Sequence, residues 1–142
     1  MLVDTILGAK GSDVKTLPAS AAVADAIDML NTYNIGAVVV ASDDGTVIGI
    51  FSERDVVRHI SKKSVDALAR PISALMTTSV VTCTRETSID DIMERMTSRR
   101  IRHVPVIENN KLIGIISIGD VVKYKIEQAE RDAEALRDYI AS

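Results

Sequence analysis

The 142-residue chain has few aromatic side chains, one cysteine and no long apolar run. It contains no tryptophan, one phenylalanine and three tyrosines, so the core must be built mainly from Val, Ile, Ala, Leu and Met. The single thiol, Cys83, has no partner for a disulfide within the chain and reads as a buried small hydrophobe. No apolar segment approaches the ~20 residues of a membrane-spanning helix, and the first residues lack a secretion signal. These absences predict a soluble, cytoplasmic protein without a membrane anchor.

Charge and motif content exclude several further classes of function. The net charge of −3 argues against binding of nucleic acid or an anionic membrane by the whole surface. A local basic cluster exists at 99–103, but no aromatic residues interleave with it. The chain has no phosphate-binding glycine loop, and its two histidines lack cysteine or carboxylate neighbours at metal-ligand spacing. With no visible catalytic constellation, the sequence predicts neither an enzyme nor a metal site.

The most informative feature that is present is an internal repeat. The segment 49–58, GIFSERDVVR, returns 65 residues later as 114–123, GIISIGDVVK. Upstream apolar residues match at an offset of 66, so the first copy has one extra residue, which falls in the turn at 42–46. A period this long in a chain this short indicates two copies of one supersecondary unit. Because a unit of about 65 residues is marginal alone, we expect the copies to share one core as a pseudo-dimer.

Each copy predicts the element order β-α-β-β-α, and therefore an α/β fold. The predicted strands are 14–17, 35–41 and 47–51 in the first copy and 80–83, 101–107 and 112–116 in the second. Helices with an apolar stripe at i, i+3, i+4 and i+7 follow the first strands, beginning after Ser20 and at a capping box over 87–90. They end at Asn34 and near 99–100. The second helices begin after Ser52 and Ser117.

These elements divide the chain into three parts. The first repeat with a short apolar lead-in occupies 1–62, the linker and second repeat 63–124, and an extended C-terminal helix 125–142. In that helix apolar residues recur in alternating steps of four and three, a heptad seam, at Val122, Ile126, Ala129, Ala133, Leu136 and Ile140. The seam either lies on the protein's own core or pairs with a second chain or another partner. Its two alanines favour close helix approach and thus the intermolecular alternative.

Ser52 and Asp55, like Ser117 and Asp120, stand where a strand passes into a helix. A serine followed three residues later by an acid is a helix cap, worth about 1 kcal/mol. Alternatively, the hydroxyl and carboxylate bind vicinal hydroxyls of a ribose. A cap alone explains one copy well, but the repetition of the whole phrase favours a cap that also binds a ligand.

Together these motifs resemble the tandem cystathionine-β-synthase (CBS) domain pair, the Bateman module. The resemblance rests on the G-h-h-S-x-x-D endings (h, hydrophobic), the lead-in 72–77, ISALMT, and the strand 101–106, IRHVPV. It covers about 3–124. It implies a pseudo-twofold pair that acts as a regulatory sensor of AMP, ADP, ATP, NAD(H) or S-adenosylmethionine, with two clefts and frequent homodimerisation. The output would pass to an effector protein that the sequence does not identify. The competing hypotheses are a dimeric scaffold or adaptor with vestigial clefts and, more weakly, a nucleic-acid-associated regulator.

The resemblance also implies which residues contact the ligand. Asp55 and Asp120 would hold ribose hydroxyls, and Arg102 with His103 would face phosphate in the second cleft. The first repeat has 36–37, Gly-Ala, in the latter places, so its phosphate charge would come from Arg54, Arg58 or 62–63. The second cleft is therefore expected to prefer phosphorylated ligands. The full implied set is Thr16, Ile35, Ala37, Ser52, Arg54, Asp55, Thr82, Ile101, Arg102, His103, Pro105, Ser117 and Asp120.

Overall fold

A computed structural model describes residues 1–60 and 65–142, which form five helices and five strands. In chain order these elements are α1 (Val3–Lys10), β1 (Thr16–Leu17), α2 (Val23–Tyr33), β2 (Ala37–Ala41), β3 (Val47–Ser52), α3 (Glu53–His59), α4 (Ile89–Arg99), β4 (His103–Glu108), β5 (Lys111–Ser117) and α5 (Ile118–Ala141). Two 3₁₀ turns, Val65–Ala69 and Ile72–Ala74, precede the second repeat. The predicted boundary at 62/63 lies outside the described residues, and the division of the chain into three parts stays a prediction.

The strands form one small sheet in each repeat. In the first, β1 pairs in parallel with β2, and β2 pairs antiparallel with β3. In the second, β4 and β5 form an antiparallel pair. β2 is buried along nearly its whole length, as its continuous apolar sequence predicts. The predicted strand 80–83 is wrong: Cys83 alone bridges to Val106, with backbone hydrogen bonds to Pro105 and Ile107, and one residue makes no ladder.

The start of α2 differs from the prediction. The helix begins at Val23, and its N-cap is Ala22 rather than Ser20. The Ala22 N–H donates to the carboxylate of Asp25 at 3.3 Å, so an acid in the first turn satisfies the helix end without a capping hydroxyl. Asp25 is therefore the residue that marks the start of α2, and the prediction based on Ser20 overlooked it.

The other helix ends follow the sequence closely. The cap of α4 lies one residue later than the predicted box at 87–90: Ser88, not Thr87, is the N-cap, and its hydroxyl accepts a hydrogen bond from the Asp91 N–H at 3.1 Å. α2 and α4 end at Asn34 and Arg100, which adopt left-handed conformations with φ of 51° and 54°. Such a residue commonly ends a helix, which confirms the predicted ends.

The two repeats build separate apolar clusters rather than the single core expected. The first cluster contains Phe51 of its own repeat and Ile72 from the lead-in to the second repeat. The second contains Ile92 and Ile116 together with Leu7 of α1, which precedes the first repeat in sequence. Each lead-in therefore completes the core of the other repeat, because one unit offers too little apolar surface to bury alone. This exchange joins the halves.

α5 runs beyond the second repeat into solvent. Val121 and Tyr124 are buried, but residues 129–142 are exposed throughout. Over that stretch the alternative in which the seam lies on the protein's own core is wrong. In the part of the chain that the structure describes, no helix combines the length and apolar character needed to cross a membrane.

Candidate functional site

A cleft of about 560 Å³ lies where the end of β3 meets the beginning of β4. We call it the Asp55 cleft. Its polar lining comes from three parts of the chain: the first turn of α3, the lead-in to the second repeat and the segment before β4. The groups used below are Ser52, Arg54, Asp55, Thr77, Arg58 and Arg102.

Asp55 is the buried acid of this cleft, with only 4% of its surface exposed. Its Oδ2 accepts hydrogen bonds from the N–H of Ser52 at 2.9 Å and from the Ser52 hydroxyl at 3.2 Å. Its Oδ1 accepts a hydrogen bond from the hydroxyl of Thr77 at 3.2 Å. The predicted cap is therefore present, with a third partner from outside the repeat. The ribose role of Asp55 stays a prediction.

Arginine side chains supply the charge of the Asp55 cleft. Arg54 donates a hydrogen bond to the carbonyl of Arg100 at 2.6 Å. Five arginines line the cleft: Arg54, Arg58, Arg99, Arg100 and Arg102. With Glu53 and Asp55 as the acids of the same lining, the balance favours an anionic ligand. Arg54 and Arg58, which were predicted to supply positive charge to the cleft of the first repeat, both line the Asp55 cleft. The third predicted source of that charge, 62–63, lies outside the described residues.

The predicted grouping of these residues by repeat does not match the clefts that they line. Arg102 and His103 were expected in one cleft with Asp120, but both line the Asp55 cleft, although His103 remains close enough to Asp120 for that carboxylate to act on its pKa. The two repeats face each other, so the acid at the end of β3 in one repeat meets the segment before β4 of the other. The phosphate contact expected of Arg102 and His103 stays a prediction, and the cleft that it concerns is the Asp55 cleft.

His103 lies at the boundary between the repeats. Its imidazole packs against Gly36, where a Cβ would come within 2.8 Å of the ring. Burial lowers the pKa of His103 from its usual 6.5, although the carboxylates of Glu53 and Asp120 act in the opposite direction. The ring is therefore neutral at pH 7. It can donate one hydrogen bond to a ligand, but the arginines carry the positive charge.

A second, smaller cleft of about 250 Å³ surrounds Asp120, and we call it the Asp120 cleft. The Ser117 N–H donates to Oδ2 of Asp120 at 2.8 Å, and the Asp120 N–H donates to the Ser117 hydroxyl at 3.2 Å. Lys10 at the end of α1 forms a 2.6 Å ion pair with the same carboxylate. Burial acts to raise the pKa of Asp120, but the hydrogen bonds from Lys10 and Ser117 outweigh it and hold that pKa below 3.8.

The structure brings together about half of the residues that the resemblance implied. Six line the Asp55 cleft: Ser52, Arg54, Asp55, Ile101, Arg102 and His103. Asp120 lines the smaller cleft. The other six line neither cleft. Ser117 caps α5, Thr16 is exposed on β1, and Ile35 packs on the first cluster. Ala37 and Pro105 are buried in the sheets, and the Thr82 carbonyl accepts a hydrogen bond from Arg95.

Sequence reasoning missed two residues that contact the acids, Thr77 and Lys10. Thr77 appears in the lead-in 72–77 but was assigned no role. Extending the 66-residue offset upstream aligns Lys10 with Met76 and Gly11 with Thr77. The alignment pairs neither contact residue with the other, so the offset alone does not identify them; their contacts with the acids arise from the packing of each lead-in.

Comparison with known proteins defines the class. The model of the CBS domain matches residues 11–62 and 72–127. A crystal structure of a CBS-domain containing protein from Agrobacterium tumefaciens superposes with a TM-score of 0.84 at 45% identity, covering 88% of this chain and 99% of that one. These matches define a tandem repeat protein with an α/β fold, as predicted. The chain belongs to the CBS domain family.

Other relatives match over only part of their length or share only the fold. The chain is 34% identical over 120 residues to CBS domain-containing protein CBSX3, mitochondrial, of Arabidopsis thaliana, covering 82% of this chain and 58% of the relative. It therefore spans less than two thirds of that protein. A CBS domain protein of Pyrobaculum aerophilum, solved in complex with AMP, shares the fold at 23% identity and a TM-score of 0.74. A CBS domain pair solved with 5′-methylthioadenosine and S-adenosyl-L-methionine does so at 21% identity and 0.79.

Proposed function

We propose that this chain is a regulatory, non-catalytic module that binds an adenine nucleotide in the Asp55 cleft and changes its conformation or assembly in response. The observation that carries the proposal is the pairing of two chemistries in one cleft. Hydroxyl and carboxylate groups of Ser52, Asp55 and Thr77 meet at one place, and five arginines line the same space. A nucleotide presents ribose hydroxyls and phosphate together, and so matches both.

Size supports the Asp55 cleft over the Asp120 cleft as the site. Small-molecule sites typically enclose about 300–1,000 Å³. The Asp55 cleft, at about 560 Å³, falls within that range, whereas the Asp120 cleft, at about 250 Å³, falls below it. Apolar side chains of Ile50, Val81 and Ile101 also line the larger cleft, and they offer surfaces on which a purine ring can rest.

The arginines favour a phosphorylated ligand such as AMP, ATP or NAD(H) over adenosine. Guanidinium groups form paired, charge-assisted hydrogen bonds with phosphate. The AMP complex of the Pyrobaculum aerophilum protein supports the ligand class, and the pair with 5′-methylthioadenosine and S-adenosyl-L-methionine keeps the latter as a competitor. The free, buried thiol of Cys83 fits the reducing cytoplasm that we propose as its location.

α5 is the proposed output element. The N–H of Ile118, the first residue of α5, donates to the carbonyl of Arg102 at 2.8 Å. A phosphate that repositions Arg102 would therefore act on the first turn of the helix. The ligand can shift α5 only through a difference in affinity between two states, typically ~1–3 kcal/mol. Hydrogen exchange over 125–140 should slow with ligand, and unchanged exchange would count against this output.

The site is tested by isothermal titration calorimetry with AMP on wild type, Asp55→Asn and Asp120→Asn. Asparagine keeps an oxygen for the Ser52 N–H, so the cap is largely retained while the charge is removed. We expect Asp55→Asn to weaken AMP binding at least tenfold and Asp120→Asn to leave it nearly unchanged. Equal losses in both variants, or no binding by the wild type, would contradict the proposal. Melting temperatures without ligand separate folding defects from lost binding.

The phosphate contact is tested with Arg102→Ala. A hydrogen bond to a charged group contributes about 1.5–3 kcal/mol, so AMP affinity should fall by about tenfold to a hundredfold. Adenosine, which has no phosphate, should lose little. Arg131→Ala is the matched control, because Arg131 lines the Asp120 cleft instead. Equal losses for AMP and adenosine would remove Arg102 from the phosphate site.

A scaffold or adaptor with vestigial clefts is the second candidate. It is favoured by the partners that both acids already have within the chain, Thr77 on Asp55 and Lys10 on Asp120. A panel of adenine ligands that leaves the melting temperature unchanged would place this candidate first. A bound ligand at ~100 times its dissociation constant should instead add ~2.7 kcal/mol of stability.

A further inference from the structure

The outer half of α5 carries an apolar stripe that the chain itself does not cover. The family match ends at residue 127, whereas α5 continues to Ala141. The large apolar residues of the heptad seam are exposed, from 49% at Val122 to 74% at Ile140. Val121 and Tyr124 on the neighbouring face are buried, so the seam is not the face that packs on the protein. An apolar helix stripe is stable in water when another element covers it.

We propose that this seam binds the same seam of a second copy of the chain, forming a parallel, in-register, two-stranded coiled coil. The seam positions alternate as a residues, Ile126, Ala133 and Ile140, and d residues, Val122, Ala129 and Leu136. In parallel coiled coils, isoleucine at a with leucine at d favours two strands over three or four. The two central alanines let the helix backbones approach closely.

Charges beside the seam select this orientation. In a parallel pair each g residue faces the e residue of the next heptad on the other helix. This arrangement places Asp132 opposite Arg137 of the second copy and Lys125 opposite Glu130 of the second copy, both of opposite sign. An antiparallel pair that overlaps all six seam positions would instead bring Glu130 against Glu130 and Asp132 against Asp132. The parallel arrangement is therefore the one that the charges favour.

The two charge pairs are not equally available. Lys125 already forms a 2.6 Å ion pair with Asp90 of its own chain, so its contact across the seam competes with that bond. Glu130, Asp132 and Arg137 form no ion pair with any residue in the described ranges. The Asp132–Arg137 pair, which occurs twice in a symmetric dimer, is therefore the main determinant of orientation.

Orientation is tested by disulfide cross-linking of Leu136→Cys. In the parallel pair two copies of position 136 meet at a d layer, whereas the antiparallel pair places position 136 opposite 126. We expect Leu136→Cys to form a covalent dimer under mild oxidation and Glu134→Cys, on the outer face, to form little. Native Cys83 does not compete, because it is buried and burial raises its pKa to about 12. Equal cross-linking of both variants, or none at 136, would overturn the proposal.

Charge exchange tests the seam without cysteine. Asp132→Arg and Arg137→Asp each place like charges together and should weaken the dimer about tenfold in sedimentation equilibrium. The double variant Asp132→Arg/Arg137→Asp restores both pairs and should recover wild-type association. A wild type that stays monomeric at 100 μM, single variants that associate normally, or a double variant that is not rescued would each overturn the parallel seam.

Discussion

The Asp55 and Asp120 clefts share one helix cap and differ in the group that the chain supplies from outside the repeat. In both, a serine N–H donates to the acid three residues later, at 2.9 Å for Ser52 and 2.8 Å for Ser117. The third group is the neutral hydroxyl of Thr77 on Asp55 and the ammonium of Lys10 on Asp120. Within the described residues, Asp55 therefore forms no ion pair beside its larger cleft, whereas Asp120 is paired with Lys10.

The difference originates in the lead-ins and not in the repeated phrase. Thr77 follows the first repeat and packs back on it, with backbone hydrogen bonds to Ile50 at 2.9 Å in both directions. Lys10 ends α1, which crosses to the second repeat. Two copies of one motif thus acquire different chemistry from the segments exchanged between them. The repeats supply the acid and its cap, and the lead-ins decide what else can bind there.

The largest change in unfolding free energy is expected at Gly114 and Gly49, which occupy the same position in the two repeats. Alanine at either position tests how rigidly the lead-in that packs on it is held. A Cβ on Gly114 would lie 2.6 Å from Leu7, and one on Gly49 would collide with the side chain of Met76. Leu7 is buried and branched, whereas Met76 is a flexible, half-buried thioether that can move aside. We expect Gly114→Ala to cost about 1–3 kcal/mol of unfolding free energy and Gly49→Ala less, measured by urea denaturation.

Gly8→Ala is the control for this pair. Nothing lies within 4 Å of a Cβ at Gly8, and alanine in a helix interior is favoured over glycine by roughly 0.5–1 kcal/mol. It should therefore be neutral or stabilising. If Gly49→Ala proves as costly as Gly114→Ala, the two lead-ins are equally rigid, and packing does not distinguish the halves.

The next effect concerns the hydroxyl on Asp55. Thr77→Val keeps the side-chain shape and removes the donor to Oδ1, which should cost about 1 kcal/mol of unfolding free energy. The two backbone hydrogen bonds to Ile50 hold residue 77 in place, so the change reports on the hydroxyl. Thr78→Val, at an exposed neighbour, should have little effect. Equal melting temperatures for the wild type and Thr77→Val would show that Thr77 contributes nothing to Asp55.

The element order and the caps at Ser52 and Ser117 could be predicted because they are local. A helix end depends on residues within one turn, and apolar periodicity depends on neighbours along the chain. For the same reason the left-handed ends at Asn34 and Arg100 fall where the periodicity stops.

The composition of the clefts could not be predicted in the same way, because it depends on which repeat each segment packs against. Arg102 lies 47 residues from Asp55 in sequence but shares its cleft. α1 looked like a lead-in to the repeat that follows it, yet its Leu7 packs in the other cluster. The repeated sequence predicts the elements of one unit. The contacts between the two units join residues far apart in the sequence, so no local pattern predicts them.

The smallest change in unfolding free energy is expected on removal of the Lys10 ammonium, and it should depend on pH. Lys10→Met removes the ion pair with Asp120, at a cost of up to about 1 kcal/mol at pH 7, since both side chains are partly exposed. Lys10 holds the pKa of Asp120 below 3.8 in the folded state. A carboxyl with a lowered pKa adds stability above its unfolded value, and this stability is lost as pH falls through the folded pKa. The difference between wild type and variant should therefore be full at pH 6–7 and shrink below about pH 4.

Lys123→Met separates the ion pair from the general charge of the Asp120 cleft. Lys123 lines the cleft without pairing with any acid in the described part of the chain, so this variant should show no such pH dependence. The nucleotide stoichiometry of Lys10→Met then tells which property separates the clefts. A second, weaker AMP site in Lys10→Met would mean that one ammonium closes the Asp120 cleft. An unchanged stoichiometry would mean that its smaller volume, about 250 Å³ against about 560 Å³, excludes the ligand whatever Lys10 does.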